Sequence, residues 1–182
     1  MSNLTVHITL KKATLSDYPM IQNMARFYVY DLSKECGFLS DEWNIPPDGL
    51  FESFDFKPYF EKDSCCAYLI KVREDIAGFV LINQETICKT SHWNMVEFFV
   101  LGKYQGKGVG IQAAERVWQN HPGLWEVLLI PENHSALIFW ESAINKCTHG
   151  NFTKKVIQID FDKTQPKRVI FTFDTTNRVT SL

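Results

Sequence analysis

The chain has 182 residues, of which 45% are hydrophobic and 22% are charged, so it holds enough apolar side chains for one compact domain. Its 19 basic and 21 acidic residues give a formal net charge of -2. This balance argues against a nucleic-acid-binding protein, because such a protein needs a strongly basic face. The 14% aromatic content excludes a disordered chain. We therefore expect a single folded domain over residues 1–182.

The sequence shows no sign of export or of a membrane partner. No basic segment followed by an apolar run opens the chain, and no apolar stretch approaches the ~18 residues that span a bilayer. A cytoplasmic protein is therefore expected. Its five cysteines are scattered without Cys-x-x-Cys spacing, which predicts reduced thiols and no metal site; they are Cys36, Cys65, Cys66, Cys88 and Cys147.

The first third of the chain predicts one strand and one long helix. Val6 to Ala13 alternates polar and apolar residues, which is typical of a strand. Ser16 and Asp17 then provide an N-cap for a helix over 16–34. Residues 35–63 are irregular, with aromatic anchors that favour a short helix.

The remaining elements alternate strands with two helices. Cys66 to Val72 and Ile76 to Ile82 predict a strand hairpin, and the apolar run Met95 to Leu101 predicts a buried central strand. A glycine-rich loop, a helix, a strand from Trp125 to Ile130 and a helix capped by Asn133 or Ser135 follow, before a hairpin of 157–161 and 169–173. This order predicts one α/β (α+β) domain with a mixed sheet.

The glycine-rich segment Gly102-Lys-Tyr-Gln-Gly-Lys-Gly-Val-Gly110 joins the central strand to a helix. Backbone amides at such a junction, together with the helix dipole, favour a phosphate or pyrophosphate. The segment is not a P-loop, because three residues rather than four separate Gly102 from Gly106. It is not the dinucleotide fingerprint Gly-x-Gly-x-x-Gly either.

The segment resembles the acyl-CoA loop of the GNAT superfamily of N-acyltransferases, whose pattern is Gln/Arg-x-x-Gly-x-Gly/Ala. Gln105, Gly108 and Gly110 fill the three fixed positions. After the next strand, Asn133-His-Ser-Ala-Leu-Ile-Phe-Trp-Glu141 is similar to a second stretch of the family, Asn-x-x-Ala-x-x-Phe-Tyr-Glu. Two motifs in the right order are far more specific than either alone.

The resemblance implies a mostly antiparallel sheet of about seven strands, with helices on both faces, and acetyl-CoA as the acyl donor. It assigns CoA contacts to two short segments and two side chains. The backbone that would hold the pyrophosphate is that of Gln105, Gly106, Lys107, Gly108, Val109 and Gly110. The backbone that would hold the pantetheine arm is that of Phe98, Phe99 and Val100, with the amide near Val100 also bonding the acetyl carbonyl. Asn133 and Trp140 would face CoA.

Two carboxylates are candidates for removing a proton from an amine acceptor. Glu97 lies within an apolar run, where an unpaired carboxylate is costly unless it lines a cleft. The alternative is a glutamate that reaches solvent or pairs with a basic neighbour. Glu126, between Trp125 and Val127 on the next strand, is the second catalytic candidate.

Trp140 departs from the family pattern, in which many members use a tyrosine to reprotonate the departing thiolate. Indole is no acid of suitable strength, so water, the amine's own proton, His134, Tyr28 or Tyr30 would replace it. The departure also leaves open a second function, a sensor that binds acetyl-CoA or CoA without chemistry.

The segment that usually forms the acceptor wall in this superfamily is acidic here. Residues 31–63 carry nine acids and three lysines, a net charge of -6, which leaves +4 for the rest of the chain. Such a wall suits a cationic small-molecule or peptide amine, although an acidic loop in solvent is the alternative. Some relatives form homodimers through the last two strands, and the sequence permits this.

Overall fold

The protein, described by a computed structural model over residues 6–176, is a seven-stranded sheet with four helices. The strands are β1 (Ile8–Lys12), β2 (Cys65–Val72), β3 (Asp75–Asn83), β4 (Trp93–Val100), β5 (Leu124–Leu129), β6 (Phe152–Gln158) and β7 (Lys167–Asp174). The helices are α1 (Tyr18–Cys36), α2 (Pro58–Glu61), α3 (Val109–Asn120) and α4 (His134–Thr148), with short 3-10 turns at Leu15–Asp17, Asp41–Trp43 and Gly102–Tyr104.

The strand order is β1-β2-β3-β4-β5-β7-β6. Every neighbouring pair is antiparallel except β4 and β5, which are parallel and are connected through α3. The predicted mixed, mostly antiparallel sheet is therefore confirmed. A parallel pair in the middle of the sheet matters for the site, because it brings the C-terminal ends of β4 and β5 to the same edge.

Helices cover both faces of the sheet, as expected. On one face, α3 and α4 bury Trp118, Trp140 and Ile144 against the strands. On the other face, α1 buries Ile21 and Met24, and the residues around α2 contribute aromatic side chains. No helix in the described part of the chain has the length and hydropathy to cross a bilayer.

The long first helix begins later than the sequence predicts. Asp17, one of the two predicted caps, is the N-cap residue of α1, while Thr14 caps the preceding 3-10 turn and donates its backbone amide to the Asp17 carboxylate at 2.9 Å. Pro19 then occupies the first turn of the helix itself, where its missing N–H costs nothing. The helix continues to Cys36, two residues beyond the predicted end.

The sixth strand is where the sequence prediction was wrong. β6 spans Phe152–Gln158, and the predicted stretch 157–161 mostly lies in the loop after it. β6 is an edge strand that pairs with β7 only, and most of its residues are exposed. Polar residues such as Thr153-Lys-Lys155 are therefore tolerated on both faces, and the sequence shows no alternation of polar and apolar residues. The loop is held by an ion pair between Arg168 and Asp162 at 2.6 Å.

Candidate active site

A gap opens between β4 and β5 near the middle of the sheet. The two strands pair only at Trp93 with Trp125, Asn94 with Glu126 and Met95 with Val127. Both strands continue beyond this point, β4 to Val100 and β5 to Leu129, but their ladder has ended. The C-terminal half of β4 therefore presents an unpaired backbone edge toward β5.

A bulge in β4 marks the start of this gap. Leu81 of β3 pairs with Glu97, while the next residue, Ile82, pairs with Met95, so Val96 has no partner in the ladder. The extra residue reverses the side-chain alternation. As a result Met95 lies in the core under α3 and α4, whereas Glu97 shares the opposite face with Leu81 and Phe99, under α1.

Backbone directions along β4 decide which groups face the gap. The Leu101 amide donates to the Ala77 carbonyl at 2.8 Å, so the alternation of the antiparallel ladder turns Leu101 and Phe99 toward β3. The backbone groups of Phe98 and Val100 point the other way, into the gap. Of the three predicted pantetheine contacts, the geometry thus favours Phe98 and Val100, and it directs Phe99 away from the gap.

The glycine loop supplies a cluster of free amides at the N-terminus of α3. Gly106 and Gly108 have positive φ angles of 69° and 76°, which L-residues with a Cβ rarely adopt. The backbone amides of residues 106–111 make no hydrogen bond within residues 6–176. These amides and the positive end of the helix dipole fit a pyrophosphate.

Two side chains and one glycine fix the shape of this loop. Gln105 Nε2 donates to the Val100 carbonyl at 2.8 Å, which ties the loop to the end of β4. Lys107 Nζ donates to the Lys103 carbonyl of the same loop. A Cβ on Gly110 would lie 3.0 Å from the Phe139 ring, so the glycine permits close packing of α3 on α4.

Glu97 is half-buried among aromatic side chains on the α1 face. Burial raises its pKa to about 7, and a hydrogen bond from the Tyr28 hydroxyl acts in the opposite direction. Tyr59 of the α2 helix lies close enough for the Glu97 charge to raise the tyrosine's own pKa further, after the larger effect of burial. A carboxylate with a pKa near neutrality suits proton transfer at physiological pH.

Glu126 is not brought to the gap. It pairs with Asn94, where β4 and β5 are still joined, and its side chain is 0% exposed. Its two oxygens accept hydrogen bonds from the backbone amides of Ile87 at 2.7 Å and Cys88 at 2.9 Å. These bonds anchor the β3–β4 loop, and we assign Glu126 no part in proton transfer.

The second motif lies at the start of α4 and along it, as predicted. The two residues that were expected to face CoA, Asn133 and Trp140, already make contacts within the protein. The Asn133 side chain caps the helix by accepting from the Ala136 amide at 3.1 Å. Trp140 is 4% exposed and its ring lies 5.0 Å from the Phe98 ring in an edge-on contact. Trp140 borders the gap through this contact, because Phe98 belongs to the half of β4 that is not paired with β5.

Of the alternatives to the absent tyrosine, only Tyr28 lies beside Glu97. Tyr30 is exposed on the outer side of α1, where its ring contacts Phe51. His134 is exposed at the start of α4. Sequence reasoning did not identify Tyr59 as a neighbour of Glu97, and no local pattern links a residue of the irregular segment to β4.

Two acids of the segment 31–63 border the gap. One oxygen of Asp31 is ion paired with Lys34 at 2.6 Å, and the other lies 3.5 Å from Gln105 Nε2 of the glycine loop. Glu35, one helical turn later, accepts from the Ser135 amide at 3.1 Å and from its hydroxyl, which connects α1 to α4. Other acids of the segment serve local structure, such as Asp55, which binds the Tyr18 hydroxyl, and Asp48, which binds the Leu50 amide.

Within residues 6–176 no three His, Cys, Asp or Glu side chains are grouped to hold a metal ion. The five cysteines are present as thiols. The groups described at this site are the Glu97 carboxylate, the backbone of β4 and the loop amides.

A model of the acetyltransferase (GNAT) family matches residues 26–143. This range includes α1 from its second half onward, the β4–β5 gap, the glycine loop and most of α4, so it contains every residue discussed above as part of the site. No curated relative matches the chain at a significant level.

Solved structures share the fold at low sequence identity. An acetyltransferase from Thermus thermophilus superposes with a TM-score of 0.62 and 13% identity, covering 93% of this chain and 98% of that one. A spermidine N-acetyltransferase from Vibrio cholerae, in complex with CoA and spermine, gives a TM-score of 0.59 and 14% identity, covering 91% and 93%. At these identities the likeness concerns the fold.

Proposed function

Because the chain belongs to the acetyltransferase (GNAT) family, we propose that it transfers an acetyl group from acetyl-CoA to a primary amine by direct attack on the thioester. The observation that carries this proposal is the β4 bulge, which turns Glu97 to the α1 face beside the half of β4 that is not paired with β5. The loop amides at 106–111 would hold the CoA pyrophosphate, and Phe98 and Val100 would bond the pantetheine arm.

Glu97 is the proposed general base. An amine with a pKa near 10.4 is almost fully protonated at neutral pH and cannot attack a carbonyl. A carboxylate whose pKa is about 7 is ionised in a large share of molecules at that pH and accepts the proton. The nitrogen then has a free electron pair with which to form the C–N bond.

The Val100 amide is the proposed donor to the thioester carbonyl. Negative charge develops on that oxygen as nitrogen attacks, and a preorganised N–H stabilises it. The C–S bond then breaks and CoA leaves as a thiolate. The nitrogen loses a second proton as the amide forms, which balances the proton that the thiolate needs, so the reaction does not require a tyrosine at Trp140.

Thiol release tests this proposal directly. With acetyl-CoA and a panel of amines, we expect free CoA thiol to appear only when a suitable amine is present. The substitution Glu97→Gln removes the base and should lower turnover about 100-fold or more, while the shift in melting temperature caused by acetyl-CoA stays nearly unchanged. If turnover were unchanged after Glu97→Gln, Glu97 would have no part in the mechanism.

The same measurements separate the enzyme from a sensor. The buried Trp140 at the family's tyrosine position favours a sensor as the second candidate. A sensor would be stabilised by acetyl-CoA and would release no thiol with any amine. Without stabilisation by acetyl-CoA, neither function would stand and the glycine loop would be structural.

The acceptor is proposed to be a cationic amine, because Asp31 and Glu35 add two carboxylates beside the gap on the Glu97 side of the sheet. The relative with a bound polyamine has only 14% identity, so the argument rests on charge. Asp31 is ion paired with Lys34 at 2.6 Å and also contacts Gln105, and Glu35 is hydrogen bonded by Ser135, so these partners position the two carboxylates. A substrate with a second positive charge would approach them as it enters.

We expect the KM for a diamine to rise with salt concentration and the KM for a neutral-tailed amine to change little. Asp31→Asn keeps an acceptor for Gln105 but removes the charge, and should raise the diamine KM about threefold. Asp55→Asn is the control, because Asp55 binds Tyr18 at the opposite end of α1, about 20 Å away. Equal salt dependence for both amines would contradict a cationic acceptor.

A further inference from the structure

A carboxylate at the start of β3 ties the glycine loop to the hairpin of β2 and β3. Asp75 is the first residue of β3, and its Oδ2 atom accepts a hydrogen bond from the Tyr104 hydroxyl at 3.0 Å. The same oxygen lies 3.3 Å from Lys103 Nζ. Lys103 and Tyr104 belong to the 3-10 turn directly before Gln105, the first residue of the loop motif. The start of the loop is therefore held by a residue 29 positions earlier in the chain.

The two donors to Asp75 differ in how much they constrain the loop. The side chains of Lys103 and Asp75 are 71% and 66% exposed, and an ion pair between exposed groups contributes little to stability. Tyr104 is only 6% exposed and belongs to the same core cluster as Val109 and Ala113 of α3. Because the core holds its ring and Asp75 holds its hydroxyl, the Tyr104 side chain is fixed at both ends. The constraint on the loop therefore comes mainly from the Tyr104 hydrogen bond.

The loop benefits from such an anchor because its own sequence is permissive. Gly106 and Gly108 have positive φ angles, and glycine loses more conformational freedom on ordering than any other residue. Gln105 Nε2 fixes the loop to the Val100 carbonyl at the end of β4, and Tyr104 is anchored one residue before that point. An anion that binds an already ordered loop bears a smaller entropic cost.

We propose that Tyr104 and Asp75 are positioning residues for the loop that binds the CoA pyrophosphate, and that their hydrogen bond orders the amides of residues 106–111 before the ligand arrives. This inference rests on the proposed function for the identity of the ligand. It assigns a role to two residues outside the Gln-x-x-Gly-x-Gly pattern, neither of which has to contact CoA. The bond acts through the backbone of Tyr104, which is joined directly to Gln105.

The test is Tyr104→Phe, which keeps the ring in the core and removes only the hydroxyl. The loop of the free variant is less ordered, so the Kd for CoA, measured by isothermal titration calorimetry, should rise about fivefold. Asp75→Ala removes the acceptor and should have an effect of the same size. Because both substitutions break one bond, the double variant should bind CoA about as weakly as either single variant. Salt at about 0.5 M keeps the charge lost with Asp75 from influencing the anionic ligand.

Two control variants separate this bond from other contacts. Tyr18→Phe removes a hydroxyl that binds another aspartate, Asp55, at 2.8 Å, and should leave the Kd for CoA unchanged. Asp75→Asn keeps an acceptor oxygen for Tyr104 but loses the ion pair with Lys103, and should stay within about twofold of the wild type. An unchanged Kd in Tyr104→Phe, an equal rise in Tyr18→Phe, or equal rises in Asp75→Asn and Asp75→Ala would overturn the inference.

A second measurement separates this inference from the proposed function. NMR relaxation of the backbone nitrogens gives order parameters for Gly106 and Gly108 in the free protein, which should fall in Tyr104→Phe while Gly78 in β3 keeps the value of a rigid strand, about 0.85. If the wild type failed to bind CoA, the proposed function would be wrong, and a fall in these order parameters would still show that Tyr104 orders the loop. If the wild type bound CoA and the order parameters did not change, the inference would be wrong and the proposed function would stand.

Discussion

Glu97 and Glu126 look alike in the sequence, since each is a carboxylate between apolar residues on a strand of the central sheet. In the fold they have opposite roles. Glu97 lies on the α1 face with Leu81 and Phe99, and burial raises its pKa to about 7. Glu126 is enclosed by the β3–β4 loop and accepts two backbone amides, from Ile87 and Cys88. A carboxylate satisfied by fixed amides serves the fold.

Glu126→Gln should therefore affect stability rather than chemistry. One of its oxygens becomes an NH2 group that meets a backbone N–H, so a buried amide loses its acceptor. We expect the free energy of unfolding to fall by about 2 kcal/mol, as measured by urea denaturation. Glu97→Gln, which removes a buried charge, should leave the free energy of unfolding equal or slightly higher. A loss of stability in Glu97→Gln alone would reverse the roles assigned to the two carboxylates.

At the scale of secondary structure, most of the fold follows from hydrophobic periodicity. The hairpin of β2 and β3 and the helix α3 have apolar faces that the sequence displays, and the observed bounds of the two strands are close to the predicted ones. The sequence displays no apolar face for β6, because this edge strand is exposed over most of its length. Periodicity reports burial, and it fails where a strand is held by backbone hydrogen bonds to a single neighbour.

The bulge in β4 could not be predicted for a related reason. The run from Met95 to Leu101 is apolar on both faces apart from Glu97, so one extra residue leaves no trace in the pattern. The motif in the glycine loop predicts the cofactor side of the proposed site through fixed glycine positions. The proposed acceptor side depends on contacts between residues far apart in the chain, such as Glu35 with Ser135, which no local pattern encodes.

At the scale of the whole molecule, the sheet consists of two halves, β1–β4 and β5–β7, that share a short ladder of three residue pairs. The helices α3 and α4 cover this junction on one face, and Glu35 of α1 reaches Ser135 of α4 from the other. The net charge of -2 is also unevenly divided, with the acidic segment 31–63 contributing -6. The division agrees with an anionic donor at the glycine loop and a cationic acceptor under α1.

Hydrogen exchange across β4 would test whether acetyl-CoA occupies the gap between the two halves. In the free protein the amides of Phe98 and Val100 face the gap and should exchange fast, whereas those of Phe99 and Leu101 are turned toward β3 and should exchange slowly. At a concentration of acetyl-CoA about 100-fold above Kd, protection of the two fast amides should rise by up to about 100-fold. Because Phe99 and Leu101 are already bonded, they provide the control within the same strand. Uniform protection of all four amides would indicate that the ligand stabilises the sheet without lying along β4, and the pantetheine contacts proposed for Phe98 and Val100 would then be wrong.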